Sequence, residues 1–393
     1  MKILIYSHDF LPVPGGLQSV VLELARGLSA WTVSQAGNEA MEVIVVTQTP
    51  ELMDQENDEP FGIVRCPGFW KVLQLLREAD IVHLAGPALL PLGLALLLGK
   101  PVVIEHHGFQ AACPNGLLFF EPTQAPCPGH FMAGRYSKCV ECNKGRVGLL
   151  KSMRSLLGTH LRRWLADRAA FNITPTDWLA IVLGLRRMRT VYHGISPSPA
   201  PDAAPPAPTE LSPPSDSTFA YLGRLVSTKG VEVLLEAVKQ LRKANYKFQL
   251  KIIGDGPENR PLKTRAAQLN GQIEFLGHVP EGKIEAALVD VSAVVMPSLG
   301  GEVFGLVAAE NMFRGKLLII SDIGALQEVV GETGLVFRTG DAGGLAACMR
   351  EVIEKPSLAG TLGSAARLRA VQVFNRDSMI RGHVALYREA LLH

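Results

Sequence analysis

Backbone amides at a helix start are the first candidate binding groups in this sequence. The apolar residues 291–296 predict a buried strand, and the segment Pro297 to Glu310 passes through two glycines into an alanine-rich, helix-favouring stretch. A helix N-terminus carries unpaired N–H groups and a partial positive charge. The amides of Phe304, Gly305 and Leu306 are therefore candidates for holding phosphate groups.

Two carboxylates flank this helix start. Glu302 precedes the predicted helix and Glu310 lies two turns into it, so they would be separated by at most about 12 Å if the whole stretch were helical. They could hold the two hydroxyl-bearing ends of an elongated ligand whose phosphates lie between them, which describes a nucleotide sugar. The alternative is a glycine loop that caps an ordinary helix, with both glutamates solvated.

Two cations follow an earlier strand in the same half of the chain. Arg224 stands in a loop and Lys229 at the start of a helix, where they could neutralise a diphosphate. No Asp-x-Asp pattern stands where it would bind Mg²⁺ for this purpose. The sequence therefore favours stabilisation of the diphosphate without a catalytic metal.

Apolar strands alternate with helical segments in both halves of the chain, which predicts parallel sheets covered on both faces. Ligands bind such sheets at the carboxyl ends of the strands. Four successive strands of the second half end in glycine-rich or polar turns, which indicates one binding edge. The predicted strands are Phe219–Leu222, Phe248–Ile253, Ile273–Leu276 and Ala293–Met296.

The first half offers a glycine pair and a histidine at similar positions. Gly15 and Gly16 precede a predicted helix and would let the backbone approach a ligand, although a tight turn is the alternative. The spacing is not that of a GxGxxG dinucleotide motif. His107 follows the predicted strand Val102–Glu105, where it is a candidate site residue or a structural hydrogen-bonding group.

Four of the six cysteines lie within 30 residues of one another, and one pair has CxxC spacing. Four thiolates could hold a structural zinc ion that fastens a long loop. Reduced thiols and a surface disulfide remain open as alternatives. The candidate ligands are Cys113, Cys127, Cys139 and Cys142.

The segment Lys144 to Arg168 carries seven lysines or arginines against one acid, interleaved with leucines and Trp164. A basic helix with an apolar face suits an anionic membrane surface. A domain helix with a buried leucine face explains the same pattern.

Length and composition limit the remaining choices. A chain of 393 residues predicts about two domains. A net charge of +2 excludes a polyanion-binding protein by bulk charge, although not a local basic patch, and we expect no nucleic-acid partner. The N-terminal residues lack the pattern of a signal peptide. The longest apolar run, Ala88 to Gly99, has 12 residues, which is too short to span a membrane and predicts a buried core helix. We therefore expect a cytoplasmic protein.

The segment 196–217 is rich in Pro, Ala and Ser and has almost no aliphatic content, so it predicts a linker. The expected domains are residues 1–195, with a cysteine-rich insertion at about 109–145, and residues 218–376. Residues 377–393 form a last helix.

The ordered motifs resemble those of the retaining, family four glycosyltransferases of the GT-B fold. The resemblance covers nearly the whole chain and is most specific between Tyr221 and Val330. Departures include His193-Gly194 where Asn-Gly is frequent. The matching motifs are Gly15-Gly16, His107-Gly108, Gly223-Arg224-Leu225, Lys229-Gly230, Gly254-Asp255-Gly256-Pro257, Gly277-His278-Val279, Pro297-Ser298, Glu302 with Glu310, and Gly324 to Glu328.

This resemblance implies an α/β protein with two Rossmann-like parallel-sheet domains facing a cleft and a C-terminal helix that crosses back to the first domain. It further implies retaining transfer from a nucleotide diphosphate sugar, a UDP- or GDP-sugar, to a hydroxyl of a saccharide or lipid-linked acceptor. The family's leaving phosphate helps to deprotonate the acceptor.

The resemblance also implies site roles. Arg224 and Lys229 would contact the diphosphate, Glu310 the ribose, and Glu302 the donor sugar. The donor base would lie near Gly277, His278 and Val279, and the amides of Phe304, Gly305 and Leu306 would hold the phosphates. The loop at Gly254 would also contact the donor. From the first half of the chain, His107 would lie beside the donor sugar and Gly15-Gly16 over the phosphates.

Two other functions are compatible with parts of this pattern. A sugar-nucleotide 2-epimerase of the same fold would need no acceptor, and the spacing of Glu302 and Glu310 argues against it. A non-catalytic protein that binds a sugar or a lipid carrier would have no reason to keep Arg224, Lys229 and Glu302 together. The donor base, the donor sugar and the acceptor are not identified by the sequence.

Overall fold

The computed structural model describes residues 1–12, 15–34, 41–51, 59–195, 217–269 and 273–392. The chain divides into two compact units. Nearly all of the predicted linker 196–217 lies outside the described residues. The first unit comprises Met1–Leu118, Pro128–Ser196 and Phe374–His393, and the second comprises Phe119–Cys127 and Pro197–Val373.

The strands are mostly short runs of Val, Ile and Leu. In chain order they are β1 (Lys2–Ser7), β2 (Glu42–Thr47), β3 (Gly62–Arg65), β4 (Ile81–Ala85), β5 (Val102–Glu105), β6 (Phe119–Phe120), β7 (Ala125–Pro126), β8 (Phe171–Thr174), β9 (Met188–Thr190), β10 (Ser217–Leu222), β11 (Phe248–Ile253), β12 (Ile273–Gly277), β13 (Ala293–Met296), β14 (Leu317–Ser321) and β15 (Leu335–Phe337).

Helices connect these strands, and the described residues also contain three short 3₁₀ turns, at Glu121–Thr123, Ser227–Lys229 and Gly331–Thr333. The helices are α1 (Gly16–Ser34), α2 (Phe69–Glu78), α3 (Leu89–Leu97), α4 (Tyr136–Val147), α5 (Leu149–Ala166), α6 (Asp177–Leu183), α7 (Val231–Lys243), α8 (Asn259–Ala267), α9 (Glu281–Ala287), α10 (Leu306–Phe313), α11 (Gly324–Val330), α12 (Ala342–Glu354), α13 (Ser357–Val373) and α14 (Arg376–Leu391).

The first unit is built on a seven-stranded sheet of order β3-β2-β1-β4-β5-β8-β9, in which every pairing is parallel. On β1, Ile3 pairs with Val43 of β2 and with Ile81 of β4. The central strands are buried on both faces because helices cover the sheet, which explains their continuous apolar runs.

The second unit has a six-stranded parallel sheet of order β12-β11-β10-β13-β14-β15. Its core packs the apolar face of α7, including Leu234, Val238 and Leu241, against Phe248 and Leu250 of β11. The strand order reverses between β10 and β13. In open parallel sheets, such a reversal opens a crevice at the carboxyl ends of the strands.

The last helix, α14, belongs to the first unit. Asn375 caps it by accepting a hydrogen bond from the Ser378 amide at 2.8 Å. A Cβ at Gly194 would lie 2.5 Å from the Arg376 Cα atom, so glycine is needed where the chain passes the helix start. This packing places side chains of α14 beside the sheet.

Several local predictions differ from the structure. The strands β3 and β15 were not predicted from the sequence. The apolar run Ala88 to Gly99 forms α3, yet Leu97 on it is 86% exposed and so is not a core residue. The basic segment is two helices, because Gly148 with φ of 82° separates α4 from α5.

We predict opposite effects of alanine at two glycines of α13. A Cβ at the buried Gly363 would lie 2.1 Å from the Gly315 carbonyl oxygen, whereas one at exposed Gly360 would meet nothing within 4 Å. Gly363→Ala should lower the free energy of unfolding by about 1–3 kcal/mol through overpacking. Gly360→Ala should raise it by about 0.5–1 kcal/mol. Urea denaturation of the two variants checks this, and equal effects would contradict the described packing of α13.

Candidate active site

A lysine and a glutamate from separate loops meet at the carboxyl edge of the second sheet. Lys229 ends the 3₁₀ turn after β10, and Glu302 lies in the loop after β13. The Lys229 Nζ atom lies 2.5 Å from the Glu302 Oε1 atom, and the Ser298 hydroxyl donates to the same oxygen at 2.8 Å. The Glu302 side chain is 7% exposed and that of Lys229 is 29% exposed, so the cation still reaches solvent.

Backbone contacts hold these two loops together. The Leu299 amide donates to the Thr228 carbonyl oxygen at 2.7 Å. Gly230 has a φ of 65°, and a Cβ on it would lie 2.0 Å from the Pro297 carbonyl oxygen. Only glycine permits this approach, which fixes the position of Lys229 against Glu302.

Arg224 lies on the same edge, just after β10, and its side chain is exposed. The Tyr221 hydroxyl donates to the Arg224 carbonyl oxygen at 2.9 Å, which fixes the backbone there. Burial raises the pKa of Tyr221, and the nearby Glu302 charge raises it further. Tyr221 is therefore a neutral hydrogen-bond donor.

Helix α10 begins at Leu306, directly after Gly305 with a φ of 91°. A Cβ at Gly305 would lie 2.5 Å from a methyl carbon of Leu326, so this turn also requires glycine. Phe304 is 1% exposed and anchors the loop in the core. Glu310 lies on this helix with a side chain that is 40% exposed, and the Arg314 Nη1 atom is 3.9 Å from its Oε2 atom.

The turns after β11 and β12 complete the edge. The Gly254 amide donates to the Gly277 carbonyl oxygen at 2.7 Å, and a Cβ at Gly254 would lie 1.9 Å from the Gly223 oxygen. His278 is exposed and Val279 is half-buried. The predicted residues of the second unit thus all follow carboxyl ends of neighbouring strands.

The predicted residues of the first unit lie at the corresponding edge of its own sheet. Gly15 and Gly16 are exposed at the start of α1. His107 follows β5, and its side chain is 9% exposed. Its ring stacks on that of His193 with a centroid distance of 5.2 Å and an interplanar angle of 17°.

A buried carboxylate lies among four histidines in the first unit. The Glu105 Oε2 atom lies 3.2 Å from His83 Nε2, 3.5 Å from His107 Nε2 and 3.4 Å from His383 Nε2. The Glu105 Oε1 atom lies 3.4 Å from His193 Nδ1. Burial disfavours the charged form, but the imidazoles of His107 and His383 outweigh it and hold the pKa of Glu105 well below its ordinary value.

Burial lowers the pKa of His193 to about 3 and that of His106 to about 4, so both rings are neutral at physiological pH. Glu105, His83 and His383 were not predicted as site residues from the sequence. For His83 and Glu105 the local signal is a titratable residue inside an apolar strand, as in Ile-Val-His-Leu-Ala for β4, whereas His383 lies on the helix α14.

The cysteine segment has a different arrangement. The Cys113 thiol donates to Asn115 Oδ1 at 2.9 Å, and the Asn115 amide donates to the Cys142 sulfur at 3.3 Å. All six cysteines lie among the described residues and none of them forms a disulfide, so the disulfide alternative is not found. Within the described part of the chain, no three of these sulfurs lie within 4.8 Å of one another, and zinc on Cys113, Cys127, Cys139 and Cys142 stays a prediction.

Helix α5 carries an exposed apolar stripe. Leu150 is 78% exposed, Leu157 is 67% exposed and Trp164 is 55% exposed, at spacings that put them on one face. The Arg168 guanidinium lies 3.6 Å from the Trp164 ring centroid. Arg163 does not belong to the exposed basic surface, because it donates to the Ala111 and Leu183 carbonyl oxygens.

Among the described residues, no helix combines the length and the apolar character that crossing a membrane requires. The cytoplasmic location expected from the sequence stays a prediction.

Comparisons with known proteins identify the family. A model described as "Glycosyltransferase Family 4" matches residues 14–198, and one described as "Glycosyl transferases group 1" matches residues 208–369. Glycogen synthase from Mycobacterium tuberculosis is 27% identical over 99% of this chain and 95% of that protein. A phosphatidyl-myo-inositol mannosyltransferase from Mycolicibacterium smegmatis is 33% identical over 37% of this chain and 38% of that protein.

Solved structures give the same fold. Sucrose-phosphate synthase from Thermosynechococcus elongatus matches with a TM-score of 0.70 at 20% identity, covering 100% of this chain and 99% of that one. Anabaena HepE, solved with UDP-glucose, matches with a TM-score of 0.70 at 17% identity, covering 99% and 100%. The chain belongs to the family 4 glycosyltransferases and has the GT-B fold, which confirms the predicted fold class.

A double-mutant cycle tests the contact between the two loops. Lys229→Met and Glu302→Gln should show a coupling free energy of about 1–2 kcal/mol, because each change leaves the other, partly buried group without its partner. The matched control is the exposed pair Lys239 and Glu236 on α7, whose side chains are 46% and 51% exposed. Its coupling should stay below about 0.5 kcal/mol. Urea denaturation measures both cycles, and equal couplings would contradict the geometry at Glu302.

Proposed function

We propose that this glycosyltransferase transfers a sugar from a nucleotide diphosphate sugar to a hydroxyl group of a saccharide or lipid-linked acceptor, with retention of the anomeric configuration. The observation that carries this proposal is the pair of Lys229 and Glu302 beside the start of α10. A cation, a carboxylate and helix amides at one sheet edge suit a ligand that has both phosphates and sugar hydroxyls.

The diphosphate is held by Lys229 and Arg224 and needs no catalytic metal. An ammonium group has three protons, and Glu302 accepts from only one side of it, so the others can reach a phosphate oxygen. Arg224 is exposed on the same edge and can bind a second phosphate oxygen in its planar fork. These two positive charges stabilise the diphosphate as the bond to the sugar breaks.

The other donor contacts follow the same edge. Glu302 accepts hydrogen bonds from the sugar, Glu310 accepts from the ribose, and the amides at Phe304, Gly305 and Leu306 hold phosphate oxygens. The base lies at the turn of Gly277, His278 and Val279, next to Gly254. The family resemblance assigns two further roles to residues of the first unit. His107 lies beside the donor sugar, and Gly15 with Gly16 lies at the phosphates.

In the reaction, the acceptor oxygen bonds to the anomeric carbon on the face from which the diphosphate leaves. The anomeric carbon–oxygen bond to the phosphate breaks first, which gives a sugar with oxocarbenium character. The acceptor proton passes to the departing phosphate oxygen. The side chains of this chain therefore position reactants and stabilise charge, and they form no covalent bond to the sugar.

UDP is the first donor nucleotide to examine. HepE, which shares the fold, was solved with UDP and glucose and with UDP-glucose. GDP-sugars remain the second choice. The Lys229 and Glu302 pair also argues against the non-catalytic alternative, since a protein that only binds a carrier gains nothing from a partly buried ion pair at this edge.

We further propose that the acceptor is lipid-linked and that α5 lies on an anionic membrane surface. Leu150, Leu157 and Trp164 form an exposed apolar stripe, and Lys151 and Arg154 are exposed beside it. Such a face buries its apolar side chains in the interface while its cations meet anionic head groups. The similarity to a phosphatidyl-myo-inositol mannosyltransferase supports a lipid acceptor.

Thermal shift measurements with UDP, GDP and ADP test the donor site. One nucleotide should raise the melting temperature by about 3–8 °C at 100 times its dissociation constant, with or without EDTA. Lys229→Met and Arg224→Ala should reduce this shift, since each removes a charge that binds the diphosphate. Lys239→Ala on α7 is the matched control and should keep it.

A shift that vanishes in EDTA would contradict metal-independent binding, and no shift with any nucleotide would contradict the donor site. With the donor identified, sugar transfer to an acceptor and the anomeric configuration of the product are read by NMR. Conversion of the donor sugar without any acceptor would favour the 2-epimerase.

Vesicle co-sedimentation tests the membrane surface. Wild-type protein should bind anionic phosphatidylglycerol vesicles at low salt and not neutral phosphatidylcholine vesicles. Leu150→Glu with Leu157→Glu should weaken binding by about tenfold or more, because two leucines leave the interface. Leu368→Glu, at a 60% exposed leucine on α13, is the matched control. Equal binding by the two variants would rule out α5 as the contact surface.

A further inference from the structure

The cluster around Glu105 contains buried polar atoms that the fold itself does not satisfy. The carboxylate and the His83 and His383 rings are fully buried. Both Glu105 oxygens and the Nε2 atoms of His83 and His383 lack a hydrogen-bond partner of good geometry, although each Nε2 atom lies within 3.4 Å of the carboxylate. A buried carboxylate without hydrogen-bond donors costs several kcal/mol, and either a protonated histidine beside it or a bound cation offsets this cost.

The three side chains converge from three different elements of the first unit. His83 lies on β4, Glu105 ends β5, and His383 lies on α14. Their ligand atoms all lie within 4.8 Å of one another. The Glu105 Oε2 atom is 3.2 Å from His83 Nε2 and 3.4 Å from His383 Nε2.

These distances match a metal coordination shell. Nitrogen and oxygen ligands at about 2.0–2.1 Å from a tetrahedral zinc ion are about 3.3–3.4 Å apart. Charge-assisted hydrogen bonds between imidazole and carboxylate are shorter, at about 2.7–2.9 Å. The distances from Glu105 Oε2 to the His83 and His383 Nε2 atoms are therefore those expected of atoms that share an ion.

The outer nitrogens of both histidines are held as metal ligands require. The His383 Nδ1 atom lies 2.9 Å from the Met379 carbonyl oxygen, which only accepts, so this nitrogen carries the proton. In the neutral ring, Nε2 then carries a lone pair 3.4 Å from the Glu105 Oε2 atom, and a cation bound to both atoms would remove their repulsion. The His83 Nδ1 atom is paired with the Tyr387 hydroxyl at 2.8 Å. Such partners orient metal-binding histidines in other proteins.

We propose that His83, Glu105 and His383 bind a structural zinc ion inside the first unit. The two Glu105 oxygens give these three side chains four donor atoms, and imidazole with carboxylate suits zinc. The ion fastens α14 to β4 and β5. It also fixes the backbone two residues before His107, so it holds the loop on which that predicted site residue lies.

This site is separate from the cysteine segment and from the donor residues of the second unit, although its Glu105 lies 3.5 Å from His107, to which we assign a role at the donor sugar. It uses no thiol, and it does not rest on the proposed reaction. The second buried group, Glu105 with His107 and His193, shares the carboxylate but uses a histidine assigned to the donor sugar. We therefore assign the ion to the fully buried group.

Metal analysis of the full chain, purified without a histidine tag, tests the proposal. Wild type should hold about one zinc per chain by mass spectrometry. His83→Asn and His383→Asn should lose it, and His160→Asn, at an exposed histidine on α5, should keep it. The cobalt(II) form should lack the sulfur charge-transfer absorption that cysteine ligands produce. Zinc removal should lower the melting temperature of wild type by about 5 °C or more.

Absence of bound zinc would overturn the proposal and leave the cluster as a buried imidazolium and carboxylate pair. Zinc that shows sulfur absorption and survives in both histidine variants would overturn it in favour of the cysteines. If the histidine variants do not fold, Tyr387→Phe decides, because it keeps the ring and removes only the hydroxyl that pairs with His83. If Tyr387→Phe binds zinc about 10-fold to 100-fold more weakly than wild type, the site is supported, and if its zinc affinity is unchanged, the proposal is overturned.

Discussion

The contact between the loops after β10 and β13 is the constraint on which the second unit depends. These strands are neighbours in the sheet although more than 70 residues separate Lys229 from Glu302 in the chain. Because both strands are parallel, their loops leave the sheet at the same edge. A hydrogen bond from Leu299 to Thr228 and the glycine at position 230 bring the loops into direct contact. The cation and the carboxylate meet only because of this.

The first unit also has a parallel sheet, but its cluster of polar side chains is buried instead of exposed to solvent. Polar side chains from β4 and β5 and from α14 are closed off from solvent, whereas the second unit leaves Lys229 partly exposed. A charge that reaches solvent can bind a ligand as it arrives. A carboxylate that is fully buried must be compensated permanently, which suits a structural role. The two clusters therefore divide into one for binding and one for holding the fold.

The electrostatics of both clusters follow from burial. Desolvation and the Glu302 charge keep Tyr221 neutral, so its hydroxyl holds the Arg224 backbone without adding a second negative charge to the edge. In the first unit the imidazoles keep Glu105 ionised despite complete burial. Each cluster thus contains one ionised carboxylate, Glu302 or Glu105, whose charge is coupled to the pKa values of the neighbouring side chains. For a glycosyltransferase, such fixed charges act on the reactants without rearranging during the reaction.

The sequence by itself determined the elements and the local motifs. The strands Val102–Glu105, Phe248–Ile253 and Ala293–Met296 have the predicted bounds, because apolar runs bounded by glycine or polar turns are local signals. The glycines and charged residues of the second unit were also found, since each motif is contiguous. Only the tertiary structure decided the cluster of His83, Glu105 and His383, whose two histidines are 300 positions apart in the chain. A lone histidine in an apolar strand has the same local pattern whether it is a core residue or a ligand, and the order of the strands together with the packing of α14 decides which residues it meets.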